Sequence, residues 1–335
     1  MNILVTGAAG FIGAALAKVL LERGDSVVGI DNLNDYYDVN LKLSRLAEIE
    51  GFEGFSFLKL DISNREAIKG LFENNEYDVV VNLAAQAGVR YSIENPAAYI
   101  DSNLVGFANV IEGCRQQKVA NLVYASSSSV YGANKEYPFN ENHPVNHPVS
   151  LYAATKKSNE LMAHSYSSLY DMSVTGLRFF TVYGPSGRPD MAPFLFTDKI
   201  LRDKKIQVFN NGDMFRDFTY IDDIVTGIID VIDNPATKNE NWNPETPEAS
   251  TSYCAYRILN IGNDKPTKLM DFIKAIEKAS GKKAQIDFKP MQPGDVVGTA
   301  ASIIKLNAIN GFQPKTDINE GIKNFVGWFK NYYKV

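Results

Sequence analysis

Tyr152 and Lys156 stand four residues apart, a spacing that places a phenol and an ammonium group on one face of a helix. A phenol with an ordinary pKa of about 10 is a poor base at neutral pH, but nearby positive charges favour the phenolate. Four consecutive serines, Ser126 to Ser129, precede this pair and follow the apolar run Leu122 to Ala125. A serine hydroxyl, a tyrosine and a lysine in one site form a proton-transfer set suited to oxidising a secondary alcohol beside a nicotinamide. Taken singly, the pair is also typical of a helix surface, and the serines of a turn.

A glycine-rich segment near the start of the chain indicates where such a nicotinamide cofactor binds. Gly7, Gly10 and Gly13 follow the apolar run Ile3 to Thr6 and open a helical stretch, Phe11 to Arg23. Glycines at this spacing allow a tight turn and a close approach of the backbone to a pyrophosphate, which then faces the helix N-terminus.

An acid at the end of the second apolar run completes the pattern of a dinucleotide site. Asp31 lies 18 residues after Gly13, and a carboxylate there accepts hydrogen bonds from ribose hydroxyls and repels a 2′-phosphate. No arginine is adjacent to Asp31 in the sequence, so NAD is favoured over NADP.

Short apolar runs alternate with helical stretches through the first half of the chain. This alternation predicts an α/β fold with a Rossmann-type, doubly wound parallel sheet, whose ligands lie at the carboxyl ends of the strands. After residue 184 prolines interrupt the pattern, and we expect a smaller C-terminal α/β lobe for the substrate. The predicted boundaries are 1–180 for the NAD-binding domain and 181–335 mainly for the smaller lobe. Segments from about 210–262, including the strand Arg257 to Ile261, are expected to return to the main sheet.

Composition excludes several classes of protein. The 335 residues are 45% hydrophobic and 22% charged with a net charge of −5, which indicates a globular protein and disfavours a nucleic-acid partner. The two cysteines and three histidines have no metal-ligand spacing, so no metal is expected. No apolar stretch is long enough for a membrane span, and we expect a cytoplasmic protein.

The motifs together resemble those of the extended short-chain dehydrogenases/reductases that act on nucleotide sugars. The resemblance rests on T-G-x-x-G-x-x-G at 6–13, the serine cluster before Val130-Tyr131-Gly132, and Tyr-x-x-x-Lys at 152–156. Within that family the chain looks most like the NAD-dependent 4-epimerases of UDP-glucuronate, in the segments 83–92, 178–184, 187–191 and 292–296. Relatives often have tryptophan at Ser186 and Tyr-Ala-Asp at 300–302, where this chain has Ala-Ala-Ser.

The resemblance implies roles for individual residues. Tyr152 would be the base, Lys156 would hold the nicotinamide ribose and tune Tyr152, and Ser127 would bond O4 of the sugar. The implied NAD contacts are Gly7, Gly10, Phe11, Ile12, Gly13, Asp31, Asn32, Asp61, Ile62, Leu83, Ala84, Ala85, Asn103, Tyr152 and Lys156. The implied substrate contacts are Arg90, Ser127, Ser128, Ser129, Tyr152, Thr181, Arg188, Gln207, Phe209, Arg216, Arg257 and Asp295.

The substrate contacts divide by the part of the UDP-sugar they would meet. Thr181 and Arg188 would receive the C6 carboxylate, with Arg90 a second candidate. A planar guanidinium suits bidentate carboxylate binding in any case. Arg216 and Arg257 would hold the diphosphate, Asp295 the ribose, and the segment 207–209 would border the uracil.

The implied reaction interconverts UDP-glucuronate and UDP-galacturonate through a 4-keto intermediate, and other readings stay open. A UDP-glucuronate decarboxylase would begin in the same way, and another UDP-hexose could be the substrate. A 4,6-dehydratase is disfavoured because Ser128 and Ser129 stand where that reaction needs an acid pair. A non-catalytic NAD-binding sensor or scaffold is disfavoured by the intact Ser127, Tyr152 and Lys156. The resemblance also implies a homodimer through the helices Ala97 to Gln117 and Ser150 to Tyr170.

Overall fold

A computed structural model describes residues 1–291 and 296–335 and places a seven-stranded parallel sheet at the centre of the protein. The described strands are, in chain order, β1 (Asn2–Thr6), β2 (Ser26–Asp31), β3 (Phe55–Lys59), β4 (Val79–Asn82), β5 (Asn121–Ser127), β6 (Val174–Phe179), β7 (Thr181–Tyr183), β8 (Lys205–Val208), β9 (Phe215–Arg216), β10 (Phe218–Tyr220), β11 (Tyr256–Ile261), β12 (Thr267–Lys268) and β13 (Gln285–Phe288).

Helices follow most strands of the first half, as the alternation predicts. In chain order they are α1 (Phe11–Glu22), α2 (Val39–Ala47), α3 (Arg65–Glu73), α4 (Tyr91–Glu94), α5 (Pro96–Tyr99), α6 (Phe107–Gln117), α7 (Leu151–Tyr170), α8 (Ala192–Leu201), α9 (Ile221–Asp233), α10 (Leu269–Ser280), α11 (Ile304–Asn310) and α12 (Ile318–Tyr333). A π-helical segment, Ile100–Gly106, joins α5 to α6. No helix among the described residues is long and apolar enough to cross a membrane.

The strand order of the main sheet confirms the predicted doubly wound fold. It runs β11-β6-β5-β4-β1-β2-β3, so the direction of winding reverses between β1 and β4. Ligands of such sheets bind in the crevice outside the carboxyl ends of the strands at this reversal. The ends of β1, β2, β4 and β5 therefore define the region in which a site is expected.

Alternate residues of the central strands enter two separate hydrophobic clusters. In β1, Ile3 and Val5 belong to one cluster and Leu4 to the other. Val79 and Val81 of β4 are likewise separated from Val80. Both faces of the sheet are thus covered by helices, which explains why these strands read as continuous apolar runs rather than alternating ones.

The smaller lobe is assembled from three two-stranded pairs: β7 with β10, β9 with β12, and β8 with β13. Phe218 stacks on Phe272 of α10 at a ring distance of 4.1 Å, which links a strand of this lobe to its helices. β11 returns to the main sheet and pairs with β6. The division of the chain at residue 180 stays a prediction.

The helix that carries Tyr152 begins as its sequence predicts. Ser150 is the N-cap of α7, and its hydroxyl accepts a hydrogen bond of 3.1 Å from the backbone N–H of Ala153. Such a cap satisfies one of the unpaired amide groups of the first turn. It fixes the backbone of the turn in which Tyr152 lies.

Candidate active site

The turn between β1 and α1 leaves no room for side chains at two of its glycines. A Cβ on Gly13 would lie 2.1 Å from the carbonyl oxygen of Gly7, and a Cβ on Gly7 would lie 2.9 Å from the amide nitrogen of Ala84. Gly7 also has a positive φ of 74°. Because Gly7 and Gly13 carry no side chains, the backbone at the N-terminus of α1 is open to close approach by a pyrophosphate.

Two acidic residues follow neighbouring strands beside this turn. The Asp31 carboxylate accepts a hydrogen bond of 2.8 Å from the backbone N–H of Leu33, and the Lys42 Nζ lies 3.9 Å away. Asp61 accepts a hydrogen bond of 2.8 Å from the Asn32 side chain. Burial opposes ionisation of Asp61, but hydrogen bonds from Asn32 and Ser63 hold its pKa below the usual value.

A cavity of about 170 Å³ connects the glycine turn to these acids. It brings together twelve of the residues that the sequence implicates in NAD binding: Gly7, Gly10, Phe11, Ile12, Gly13, Asp31, Asn32, Asp61, Ile62, Leu83, Ala84 and Ala85.

Asn103 does not line the cavity. It is buried, and its amide group bonds the backbone of Gln86 and the hydroxyl of Thr155. Asn103 thus supports the segment after β4, and its predicted direct contact with the cofactor stays a prediction.

A second cavity of about 830 Å³ adjoins the first and contains Ser127, Tyr152 and Lys156. Ser127 ends β5, and its hydroxyl accepts a hydrogen bond of 3.1 Å from the backbone N–H of Ser129. The Lys156 Nζ donates a hydrogen bond of 2.8 Å to the carbonyl of Ala125. The helix and the strand that carry the proton-transfer groups are thus joined directly.

Burial dominates the electrostatics of the tyrosine and the lysine. It raises the pKa of Tyr152, while a hydrogen bond from Ser127 and the positive charge of Arg188 act in the opposite direction. Burial lowers the pKa of Lys156 to about 8, because no carboxylate compensates for its desolvation. In this protein Tyr152 therefore needs further positive charge beside it to ionise near neutral pH.

The loop after β7 brings an arginine into the same cavity. Arg188 binds the Asp190 carboxylate through Nε at 3.0 Å and Nη2 at 2.5 Å. The Tyr36 hydroxyl donates at 3.2 Å to Oδ2 of that carboxylate, the oxygen that Nη2 of Arg188 also binds. Arg188, Asp190 and Thr181 all line the cavity wall. Asp190 keeps the pKa of Arg188 above its ordinary value in spite of burial.

The other end of the cavity is formed by the smaller lobe. Gln207, Phe209 and Arg216 line it, and the guanidinium of Arg90 lies 5.3 Å from the centre of the Phe209 ring. Arg216 donates to the carbonyls of Val296 and Val297. The cavity thus also contains Gln207 and Phe209, implicated in binding the uracil, and Arg216, implicated in binding the diphosphate.

Among the described residues, one predicted substrate contact does not line this cavity. Arg257 is the second residue of β11 and so lies near the amino end of a parallel strand, at the opposite edge from the cavity. Its guanidinium donates to the Thr175 hydroxyl and the Asn234 carbonyl, and this placement gives no support to the predicted diphosphate contact. Asp295 lies outside the described residues.

Several residues of the site were not singled out in the sequence. Tyr37 and Lys42 line the smaller cavity, and Tyr36 lines both. The only local signal is a pair of adjacent tyrosines shortly after Asp31, and paired tyrosines are too common to indicate a site.

The profile of the NAD dependent epimerase/dehydratase family matches residues 3–244. The chain belongs to this family. Its members' dependence on NAD agrees with the smaller cavity, in which a glycine turn without side chains at Gly7 and Gly13 and the carboxylate of Asp31 are of the types that suit the pyrophosphate and the adenosine ribose of NAD.

Several relatives match this epimerase/dehydratase-family chain over its whole length. It is 53% identical to Protein CapI of Staphylococcus aureus, with 100% of both chains covered. It is 45% identical to the probable UDP-glucuronate 4-epimerase of Rhizobium meliloti, over 100% of this chain and 98% of the relative. Among solved structures, the UDP-glucuronic acid 4-epimerase of Bacillus cereus in complex with UDP-glucuronic acid and NAD is 33% identical. It superposes with a TM-score of 0.88 over 99% of this chain and 100% of that one.

We expect Gly13→Ala to abolish NAD binding, because the new Cβ would collide with the carbonyl of Gly7. The measurement is the amount of nucleotide released from the purified, heat-denatured protein. Gly327→Ala is the matched control, since Gly327 lies inside α12 with nothing within 4 Å of an added Cβ. The control is expected to retain NAD and to gain up to about 1 kcal/mol of stability. Full nucleotide content in Gly13→Ala would contradict the assignment of the turn.

Proposed function

We propose that this protein is an NAD-dependent 4-epimerase that interconverts UDP-glucuronate and UDP-galacturonate through a 4-keto intermediate. One observation carries the proposal: a half-buried tyrosine and a buried lysine share an 830 Å³ cavity with an arginine suited to a carboxylate. The names of the relatives support the same substrate.

In the proposed reaction Tyr152 removes the proton from O4 of the sugar. Ser127 donates a hydrogen bond that stabilises the Tyr152 phenolate before the proton moves, or the sugar oxygen as its proton leaves, and Lys156 adds positive charge and would hold the nicotinamide ribose. Bound NAD supplies the hydride acceptor for C4 and the donor for its return. Epimerisation follows when the 4-keto ring presents its other face before the hydride comes back.

The smaller lobe must hold the nucleotide while the sugar turns. We assign Gln207 and Phe209 to the uracil and Arg216 to the diphosphate, with Asp295 retained for the ribose from the sequence resemblance. An anchored UDP leaves the sugar free to rotate about its link to the diphosphate, and the proposed rotation takes place within the cavity of about 830 Å³.

The carboxylate of the sugar decides between epimerisation and decarboxylation. A 4-keto uronate is a β-keto acid: breaking the C5–C6 bond releases carbon dioxide and leaves its electron pair in an enolate. This occurs only when that bond stands perpendicular to the ketone plane. Asp190 occupies the Nε–Nη2 edge of Arg188, so the Nη1 side is the part available to a substrate carboxylate, together with Thr181. A carboxylate held there is kept out of the reactive geometry.

Proton NMR of the products tests the function directly. Purified protein is given UDP-glucuronate without added NAD, and we expect UDP-galacturonate with no free NADH, because the cofactor is regenerated in each cycle. UDP-pentose and carbon dioxide would identify a decarboxylase, and conversion of neutral UDP-hexoses alone would identify a different epimerase. Tyr152→Phe is the control and is expected to lose turnover by at least about 100-fold while retaining NAD.

Removing the Ser127 hydroxyl is expected to shift the pH profile. Because its hydrogen bond lowers the pKa of Tyr152, Ser127→Ala raises that pKa. The base must be deprotonated, so the acid limb of kcat/KM moves to higher pH. Ser127→Thr keeps a hydroxyl and is expected to leave the limb near its original position. An unchanged limb in Ser127→Ala would show that Tyr152 is not the titrating base.

We further propose that the protein forms a homodimer through α7 and the preceding π-helical segment. Leu161 and Leu169 stand eight residues apart on one face of α7 and are 58% and 71% exposed. Ile100 and Val105 of the π-helical segment are exposed as well. A stripe of large apolar side chains this open to water suits an interface between two copies.

Leu161→Glu is expected to convert the dimer to a monomer, because a carboxylate would be buried without a partner at the centre of the interface. Light scattering coupled to size-exclusion chromatography measures the mass. Leu43→Glu is the matched control, since Leu43 is a comparably exposed leucine on the separate helix α2. A monomeric wild-type protein, or a dimer that persists in Leu161→Glu, would contradict this interface.

A further inference from the structure

Arg45 is a buried arginine that the proposed reaction does not use. It lies on α2 with 2% of its surface exposed. Its four hydrogen bonds of 3.0 Å or less go to uncharged oxygens: two to the Ser186 carbonyl, one to the Ala9 carbonyl and one to the Tyr37 hydroxyl. The Tyr37 ring also covers the guanidinium at 5.5 Å.

Burying a guanidinium whose partners are uncharged oxygens carries a large desolvation cost. Burying a charge is unfavourable unless its hydrogen bonds are well made, and apolar residues of similar size often stabilise a protein more. The planar fork of arginine does, however, bind several acceptors in fixed directions. The geometry therefore indicates that the elements joined by Arg45 need a defined relative position.

Those elements are the two binding loops of the site. Ala9 belongs to the glycine turn at the N-terminus of α1, and Ser186 precedes Arg188 by two residues. Ser186 adopts a positive φ of 60°, which a side-chain-bearing residue takes up rarely. Two hydrogen bonds from Arg45 to its carbonyl hold it there.

A second contact joins the segment before Arg45 to the same loop, at Asp190, which follows Arg188 in the sequence. The Tyr36 hydroxyl bonds Asp190, which in turn holds the Nε and Nη2 atoms of Arg188. The segment that runs from Tyr36 to Arg45 follows Asp31, which faces the adenosine side of the smaller cavity. Arg188 is thus fixed from both directions by the chain segment that also borders the cofactor.

We propose that Arg45 is a positioning residue for carboxylate recognition: it fastens the loop of residues 184–191 to the glycine turn and so sets Arg188. This inference rests on the proposed function, because it assumes that Arg188 receives a sugar carboxylate. Arg45 would thus influence which sugar is bound although it lies on α2, the helix that also contributes Lys42 to the smaller cavity. The effect of Arg45 is therefore confined to ligands that carry the carboxylate.

Binding measurements by calorimetry test this in NAD-loaded protein carrying Tyr152→Phe, in which substrate is not converted. Arg45→Lys keeps the positive charge but loses the planar guanidinium that bonds several acceptors at once. We expect its Kd for UDP-glucuronate to rise about tenfold and its Kd for UDP and UDP-glucose to stay within about twofold. Arg202→Lys, at an exposed arginine that ends α8, is the matched control and is expected to change none of the three.

A double variant separates positioning from general damage. If Arg45 acts through Arg188, then Arg45→Lys added to Arg188→Met weakens UDP-glucuronate binding no further than Arg188→Met alone. An additive loss, an equal loss for all three ligands, or no loss in Arg45→Lys would overturn the proposal. Where Arg45→Lys does not fold, Tyr36→Phe serves instead, with an expected rise of about threefold for UDP-glucuronate only.

The outcome is independent of the test of function. Product analysis of the unaltered protein decides whether it is a UDP-glucuronate 4-epimerase. The ratio of the UDP-glucuronate and UDP dissociation constants decides the role of Arg45. A protein that binds the uronate through Arg188 yet forms another product would refute the first proposal and leave the second intact.

Discussion

The hydrogen bond from Lys156 to the carbonyl of Ala125 is the contact on which the arrangement of the site depends. It joins α7, which carries Tyr152, to the end of β5, which carries Ser127. Lys156 is 3% exposed, and burial lowers its pKa to about 8, so the contact is maintained against a considerable desolvation cost. In the proposed reaction the buried ammonium group of Lys156 stabilises the neighbouring Tyr152 phenolate.

The part of the site assigned to the sugar carboxylate is held by a loop rather than by a contact between a helix and a strand. Arg188 belongs to a loop rather than to a strand or helix, and loops are ordinarily the mobile part of a protein. Here the loop is tied by Arg45 on one side and by Tyr36 and Asp190 on the other. In the proposed function, recognition of the sugar carboxylate would therefore depend in part on Tyr36, which lines the proposed cofactor cavity.

The cavities contain most, but not all, of the described residues that the family resemblance implicates. Residues that belong to a continuous motif, such as the glycine turn and Tyr-x-x-x-Lys, line the cavities. Arg257 was matched singly, without neighbours to fix its register, and the structure places it at the opposite edge of the sheet. Asn103 was matched in the same way and lies behind the cavity wall.

The sequence by itself determined the class of fold, the cofactor turn and the proton-transfer pair, because each depends on residues close together in the chain. The alternation of buried strands and helices defines the sheet, and the spacing of glycines or of Tyr152 and Lys156 defines local geometry. Only the tertiary structure decided that Arg45 binds the loop that carries Arg188 and that Tyr36 binds Asp190, since Arg45 and Ser186 are 141 residues apart in sequence. No local pattern records such a contact: it arises when the reversal of the sheet at β1 and β4 brings distant loops to one edge.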